Sequence, residues 1–152
     1  MTHEDYMRLA LDEGRLALST GDVPVGCIIV DPEGNVIGRG HNRREADHSA
    51  LAHAEVEAIR QACQVTGSWR LHGCSMYVTL EPCPMCAGAI INSRIPNVWY
   101  GAKDDKAGSC GSVINLFEER YNHKPALRSG LLKDECAALL QEFFSSLREK
   151  NI

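Results

Sequence analysis

The sequence contains no uninterrupted apolar stretch that approaches the roughly 18 residues of a membrane-spanning helix. Its opening residues, Thr2-His3-Glu4-Asp5, are too acidic for a signal peptide. Internal repeats, linkers and low-complexity segments are also lacking. At 152 residues, with 44% apolar and 24% charged side chains, the composition is close to globular averages. We therefore expect a single cytoplasmic globular domain over residues 1–152.

The chain also lacks an excess of positive charge, since its formal net charge is −4. Indiscriminate binding to a phosphate backbone is not expected, and a nucleic-acid partner would need a local basic patch. Seven cysteines are an odd number in a chain long enough to bury a core, which argues against a disulfide framework. Metal ligation or buried thiols explain these cysteines better.

Apolar spacing and turn residues predict that helices alternate with strands. The predicted helices cover about residues 4–19, 52–67, 84–94, 113–119 and 132–150. The predicted strands cover residues 25–30, 36–38, 75–80 and 98–100, of which the first two form an antiparallel hairpin. This order favours an α/β fold with a parallel or mixed sheet covered by helices, in which ligands bind at the C-terminal ends of strands.

Two cysteines, Cys83 and Cys86, are three residues apart where Pro82 and Pro84 indicate the start of a helix. Both thiols then project from one side of the first turn, where free N–H groups and the helix dipole favour thiolates. The spacing suits metal ligation, but two core cysteines or a redox pair would have the same spacing.

A histidine and a glutamate, His53 and Glu55, stand together at the start of the preceding helix. Alone, His53 is most simply a capping or core residue and Glu55 a solvated carboxylate. With the two thiolates, however, the imidazole makes three zinc ligands and leaves the fourth position to water, as in catalytic sites.

Zinc lowers the pKa of such a water towards about 7, and a neighbouring carboxylate can shuttle its proton. Because residues i and i+2 point to different sides of a regular helix, Glu55 and His53 converge only if His53 lies at an irregular helix start. We predict that position for His53. The alternative is a closed structural zinc site in which Cys74 or Cys110 supplies the fourth ligand.

At these residues the sequence resembles the zinc-dependent nucleoside and nucleobase deaminases, whose signature is H-x-E followed by P-C-x-x-C. Within that superfamily it is similar to the bacterial tRNA-specific adenosine deaminases. The similarity runs nearly end to end, through residues 23–26, 42, 53–55, 77–83, 85–89, 93–95 and 134–140. The zinc signature indicates only the superfamily, whereas residues 134–140 and the loop 101–104 indicate the narrower group.

The resemblance implies a three-layer, cytidine deaminase-like α/β fold with a mixed five-stranded sheet. It implies one zinc ion per subunit, held by His53, Cys83 and Cys86, with Glu55 as acid and base. Water activated in this way would attack C6 of adenine, and hydrolysis would yield inosine and ammonia. The implied substrate-binding residues are Asn42, which hydrogen-bonds the base, and Val25, Ala54, Leu80, Lys106 and Phe144.

The implied substrate is the wobble adenosine of an arginine tRNA, splayed out of its anticodon loop, and the implied assembly is a homodimer. Candidate RNA-backbone contacts are Arg43, Arg44, Lys103, Lys106, Arg120, Lys124 and Arg128, with Phe143 or Phe144 as one wall of the loop site. Each has an ordinary alternative, because scattered cations usually solvate a surface and a phenylalanine pair on an apolar helix usually packs into the core.

One segment departs from the pattern of relatives, since Ser49-Ala50-Leu51-Ala52 stands where they commonly have Asp-Pro-Thr-Ala. Two other functions remain open. One is a free-base or nucleoside deaminase of the guanine or cytosine type, and Pro84 is shared with related guanine deaminases. The other is a non-catalytic, zinc-stabilised RNA-binding module, against which Glu55 argues.

Overall fold

The computed structural model describes residues 1–150 as helices packed on both faces of one sheet. The helices are α1 (His3–Arg15), α2 (Ala54–Thr66), α3 (Pro84–Ser93) and α4 (Lys133–Lys150). The strands are β1 (Gly26–Val30), β2 (Val36–His41), β3 (Ser75–Leu80), β4 (Asn97–Ala102) and β5 (Ala126–Ser129). Within the described range, no helix combines the length and apolarity needed to cross a membrane.

The strands form a five-stranded sheet in the order β2-β1-β3-β4-β5. β1 runs antiparallel to both β2 and β3, whereas β3, β4 and β5 are parallel to one another. The predicted mixed five-stranded α/β sheet is confirmed. In the parallel half, α3 connects β3 to β4, and ligand sites in such sheets lie beyond the C-terminal ends of the strands.

Alternating side chains of the strands pack against two different helical layers. Cys27 and Ile29 of β1 join the core cluster that includes Ala58 of α2 and Ile90 of α3. Their neighbour Ile28 joins the second cluster, with Met7 of α1 and Cys136 of α4. The sheet therefore lies between α2 and α3 on one face and α1 and α4 on the other, which confirms the three-layer arrangement.

Local patterns were wrong or incomplete in two places. The sequence pattern did not indicate β5, because Ala126–Ser129 is a four-residue strand with only Leu127 half-buried. It pairs on one side only, with β4. The predicted helix over 113–119 is only a 3₁₀ turn at Leu116–Glu118, in which the Asn115 side chain accepts the N–H of Phe117. One turn suffices there because Phe117 alone is buried in the core.

The outer edge of β2 is partly closed by a side chain of α2. The Gln61 Oε1 atom accepts the backbone N–H of Arg39 at 2.6 Å. One donor of the exposed strand edge is therefore satisfied by the chain itself.

Two glycines of β2 allow α2 to lie directly on the strand. A Cβ atom at Gly40 would meet the carbonyl oxygen of Ala54 and the amide nitrogen of Ala58, which are backbone atoms that cannot rotate away. We expect Gly40→Ala to lower the free energy of unfolding by about 1–3 kcal/mol, measured by denaturant unfolding.

Gly88→Ala in α3 is the matched control for this substitution. Nothing lies within 4 Å of a Cβ placed at Gly88. Alanine there should leave the protein as stable or stabilise it by up to about 1 kcal/mol, through its higher helix propensity. Equal free energies of unfolding for the two variants would show that a Cβ atom at Gly40 does not disturb the contact between α2 and β2.

Candidate active site

Two helices begin side by side at one end of the sheet and bring the signature residues together. His53 immediately precedes α2 in an extended conformation, with φ −87° and ψ 151°. Cys83 precedes α3 in the same way, Pro84 is the first helical residue, and Cys86 lies on the first turn. His53 thus has the irregular position expected for it, which allows its ring to face the same space as Glu55.

The three donor atoms have the spacing of a tetrahedral metal site. The His53 Nδ1 atom lies 3.6 Å from the Cys83 Sγ atom and 3.5 Å from the Cys86 Sγ atom. All three donor atoms lie within 4.8 Å of one another. With zinc–sulfur and zinc–nitrogen bonds of about 2.3 and 2.0–2.1 Å, tetrahedral N and S ligands lie about 3.6 Å apart. The donor set therefore fits zinc in both chemistry and distance.

The fourth coordination position is not filled by another thiol. Across residues 1–150, the donor cluster consists of His53, Cys83 and Cys86 and includes neither Cys74 nor Cys110. The Cys74 thiol instead contacts the carbonyl of His72 at 3.6 Å. The arrangement matches an open site better than the closed structural alternative.

The pKa values of the two thiols in the cluster are shifted in opposite directions. A hydrogen bond with Cys86 lowers the pKa of Cys83 to about 4, despite partial burial. The same hydrogen bond, together with burial, raises the pKa of Cys86. Cys83 is therefore ready to act as a thiolate, and a divalent cation would displace the remaining proton from Cys86.

Glu55 is a buried carboxyl group beside this cluster. It lies on the first turn of α2 and is 3% exposed. Burial raises the pKa of Glu55 to about 7. A carboxyl group that titrates near neutrality can both accept and donate a proton during a reaction, whereas an exposed glutamate is almost always ionised.

The cluster opens into a cavity of about 550 Å³. Its lining includes His53, Glu55 and Cys83, together with five of the predicted substrate-binding residues: Val25, Asn42, Leu80, Lys106 and Phe144. The sixth, Ala54, does not line the cavity. It is fully buried, and its backbone N–H donates to the Asn42 Oδ1 atom at 2.9 Å.

This hydrogen bond orients the Asn42 side chain. Its carbonyl oxygen is used on the first N–H of α2, so the amide NH₂ group is left for a ligand. A bound base would therefore meet a hydrogen-bond donor at Asn42.

The candidate RNA contacts separate into two groups. The residues that line the cavity are Arg44, Lys103, Lys106 and Phe144. The others lie elsewhere: Phe143 lines a different groove beside Leu18, and Arg43 is held by Asp47 at 3.0 Å. Arg128 lies over the ring of Trp99 at 4.4 Å, and Arg120 and Lys124 are exposed outside the cavity.

The unusual segment before His53 forms an ordered turn. The Ser49 hydroxyl accepts the N–H of Leu51 at 3.2 Å, and the Ala52 carbonyl accepts the N–H of Arg43 at 2.9 Å. A serine hydroxyl thus closes the turn in the manner of an aspartate side chain. Leu51 is exposed in this turn.

Sequence reasoning gave no role to Glu81 or to most of the loop that faces it. Glu81 is 2% exposed and lines the cavity with Asp104, Asp105 and Ala107. Burial alone would raise the pKa of Glu81, but hydrogen bonds from Ser112 and from backbone N–H groups hold the pKa below its usual value. Its partners are mostly main-chain atoms, which no residue type in the sequence reveals.

Comparisons with known proteins agree with this geometry. A family model of the MafB19-like deaminases matches residues 1–148. The chain is 47% identical to the tRNA-specific adenosine deaminase of Bacillus subtilis (strain 168), with 99% of this chain and 94% of that protein covered. It is 41% identical to the tRNA-specific adenosine deaminase of Haemophilus influenzae, with 97% of this chain and 86% of that protein covered.

Solved structures give the same picture. A structure from studies of A-to-I editing by tRNA:A34 deaminases at the wobble position of transfer RNA is similar with a TM-score of 0.85 and 43% identity, covering 89% of this chain and 98% of that one. A guanine deaminase from Bacillus subtilis is similar with a TM-score of 0.65 and 30% identity, covering 98% of this chain and 95% of that one. The chain therefore belongs to the MafB19-like deaminase family and, within it, to the tRNA-specific adenosine deaminases.

Proposed function

We propose that this protein is a zinc-dependent hydrolase that converts the wobble adenosine in the anticodon loop of an arginine tRNA to inosine. The observation that carries the proposal is the three-donor cluster beside a buried carboxyl group at the base of a 550 Å³ cavity. The relatives named as tRNA-specific adenosine deaminases support the choice of tRNA adenosine as substrate.

His53, Cys83 and Cys86 are the residues that would hold the zinc ion. The ion, when bound, supplies an activated water for attack on C6 of adenine. Glu55 takes the proton released by the attacking water and delivers it to N1 of the ring, and a further proton leaves with ammonia. The raised pKa of Glu55, about 7, suits a group that must be both acceptor and donor in one cycle.

The cavity walls suit a purine inserted towards this cluster. Val25 and Leu80 offer apolar contact to the faces of the ring. The Asn42 NH₂ group is positioned to donate a hydrogen bond to a ring nitrogen, because its oxygen is already engaged by Ala54. Phe144, 42% exposed at the cavity, supplies an aromatic surface for a flanking base.

Three cations line the cavity, Arg44, Lys103 and Lys106, and we call them the basic rim, although the acidic Asp104 and Asp105 lie among them. In a chain of net charge −4 these are the cations placed to contact an RNA loop at the cavity. We propose that these three side chains contact phosphates of the anticodon loop.

We also propose that the chain acts as one domain over residues 1–152, since the family match covers nearly all of it. The last two residues lie outside the described range. The homodimer and one zinc ion per subunit remain predictions from the resemblance, and the cytoplasmic location remains a prediction from the sequence composition.

The test is to incubate the zinc-loaded protein with an arginine tRNA anticodon stem-loop and, separately, with guanine, cytosine, cytidine and adenosine. We expect inosine in the stem-loop alone, detected by nucleoside analysis. A stem-loop with guanosine at the wobble position is the control for background. Turnover of free guanine instead would overturn the proposal and favour the guanine deaminase alternative.

Two further arms sharpen this experiment. Stem-loops of other sequence that carry adenosine at the same position test the arginine tRNA assignment, which fails if all are edited equally. Binding measured across salt concentrations tests the basic rim. With Z phosphate contacts, log K should fall with log salt at a slope of about −0.7Z for single-stranded RNA.

A further inference from the structure

Glu81 connects the metal-binding turn to the loop on the opposite side of the cavity. We propose that its carboxylate is a positioning group that sets the substrate-facing loop 103–107 relative to Cys83, acting through Asp104. The inference rests on the proposed function, because it treats that loop as part of the substrate-binding surface.

The carboxylate lies between the end of β3 and Cys83 and is saturated by donors from one loop. It accepts the backbone N–H groups of Asp104 at 3.1 Å, Cys110 at 3.0 Å and Ser112 at 3.0 Å. It also accepts the Ser112 hydroxyl. Both carboxylate oxygens are therefore engaged, and every partner belongs to residues 104–112.

Asp104 connects Glu81 to the cavity wall through further hydrogen bonds. Its Oδ1 atom accepts the N–H of Lys106 at 3.1 Å and that of Ala107 at 3.2 Å. Lys106 and Ala107 both line the cavity. The path from Glu81 to Asp104 to these two residues consists entirely of hydrogen bonds to loop backbone.

The loop passes directly across the carboxylate. A Cβ atom at Gly108 would collide with the carboxyl carbon and the Oε2 atom of Glu81, so only glycine fits there. Backbone hydrogen bonds also join the segment around Glu81 to the residues on both sides of the loop. The Glu81 N–H group donates to the Ala102 carbonyl and the Ser109 N–H group donates to the Pro82 carbonyl, both at 2.8 Å.

Apolar packing cannot hold this segment in place. Lys103, Asp105, Lys106 and Ala107 are all exposed. A loop without buried side chains keeps its conformation through polar contacts, and local opening follows when these are removed. Glu81 is accordingly a positioning residue for substrate binding. It positions the loop 103–107 and does not position the metal ligands.

The test compares Asp104→Ala, Ser112→Ala and Glu81→Gln with wild type on the stem-loop. We expect Asp104→Ala to raise KM and the stem-loop Kd about tenfold, with kcat, zinc per chain and Tm near wild type. Asp104→Asn keeps the Oδ1 acceptor and should restore KM. Glu81→Gln presents an NH₂ group to backbone donors and should raise KM further; if it fails to fold, the Asp104 and Ser112 variants decide.

Unchanged KM and Kd in Asp104→Ala and Ser112→Ala would overturn the inference. So would a fall in kcat together with loss of zinc at constant KM, because that places the effect on Cys83. The substrate preference of the wild-type protein distinguishes failure of this inference from failure of the proposed function. If wild type turns over guanine and not the stem-loop, the proposed function falls, and KM for guanine in the same variants then tests the positioning role.

Discussion

Glu55→Gln is expected to reduce kcat on the stem-loop by about 10³-fold, within the range of 10²–10⁴ typical for general acid–base groups. Glutamine fills the same buried space on the first turn of α2 but cannot carry the proton between water and the purine ring. Zinc per chain and stem-loop affinity should remain at the wild-type level. The measurements are single-turnover inosine formation, elemental analysis and equilibrium binding of the stem-loop.

Glu57→Gln is the matched control, because it makes the same chemical change two residues later on the same helix. Glu57 is half-buried, contacts Arg60 at 3.4 Å and does not line the cavity. Its kcat should stay within about twofold of wild type, as expected for loss of a surface ion pair. Turnover by Glu55→Gln at the wild-type rate would contradict the acid–base role and remove Glu55 from the mechanism.

The second large effect is expected for Cys86→Ala, which removes one of three donors from the metal cluster. Zinc per chain should fall from about one to less than about a tenth, and turnover should be lost with it. Wild type should gain about 4 kcal/mol of stability when free zinc exceeds its Kd a thousandfold, and Cys86→Ala should not. Elemental analysis and thermal unfolding at several zinc concentrations measure both effects.

Cys63→Ala provides the control for deletion of a thiol. Cys63 is half-buried near the end of α2, and its thiol makes a long hydrogen bond of 3.9 Å to the Trp69 carbonyl. This variant should keep stoichiometric zinc and the zinc-dependent rise in Tm. Stoichiometric zinc in Cys86→Ala would contradict the ligand assignment made from the 3.5 Å contact with His53.

The sequence was most informative where a short spacing determines geometry. Cys83 and Cys86 are three residues apart at a proline-marked helix start, so their common direction follows from helix geometry alone. The position of His53 before α2 followed from the requirement that it converge with Glu55. His53 and Cys83 are 30 residues apart in the chain, so no local spacing predicts that their segments meet. Their meeting could be inferred only because one imidazole and two thiols together make a zinc ligand set.

Other features depend on contacts that leave no trace in residue type. Asn42 was expected to hydrogen-bond the base, and the structure shows that its Oδ1 atom already accepts the Ala54 N–H, which leaves the NH₂ group for that role. Ala54 was expected among the substrate-binding residues, and its backbone N–H group orients Asn42. Glu81 is recognisable only once the loop that donates to it has been placed. In each case the deciding partner is a main-chain N–H, which every residue but proline carries.

The two outer strands of the sheet have a consequence for how the folded protein resists unwanted assembly. Unpaired strand edges are templates on which other chains add, the first step of many aggregates. On one side Gln61 already occupies the N–H of Arg39, and a charged side chain projects from that same strand. On the other side β5 offers only four residues. Neither edge of the sheet is a good template for strand addition. We therefore expect folded molecules of this protein to associate through their helical surfaces and not through the sheet edges.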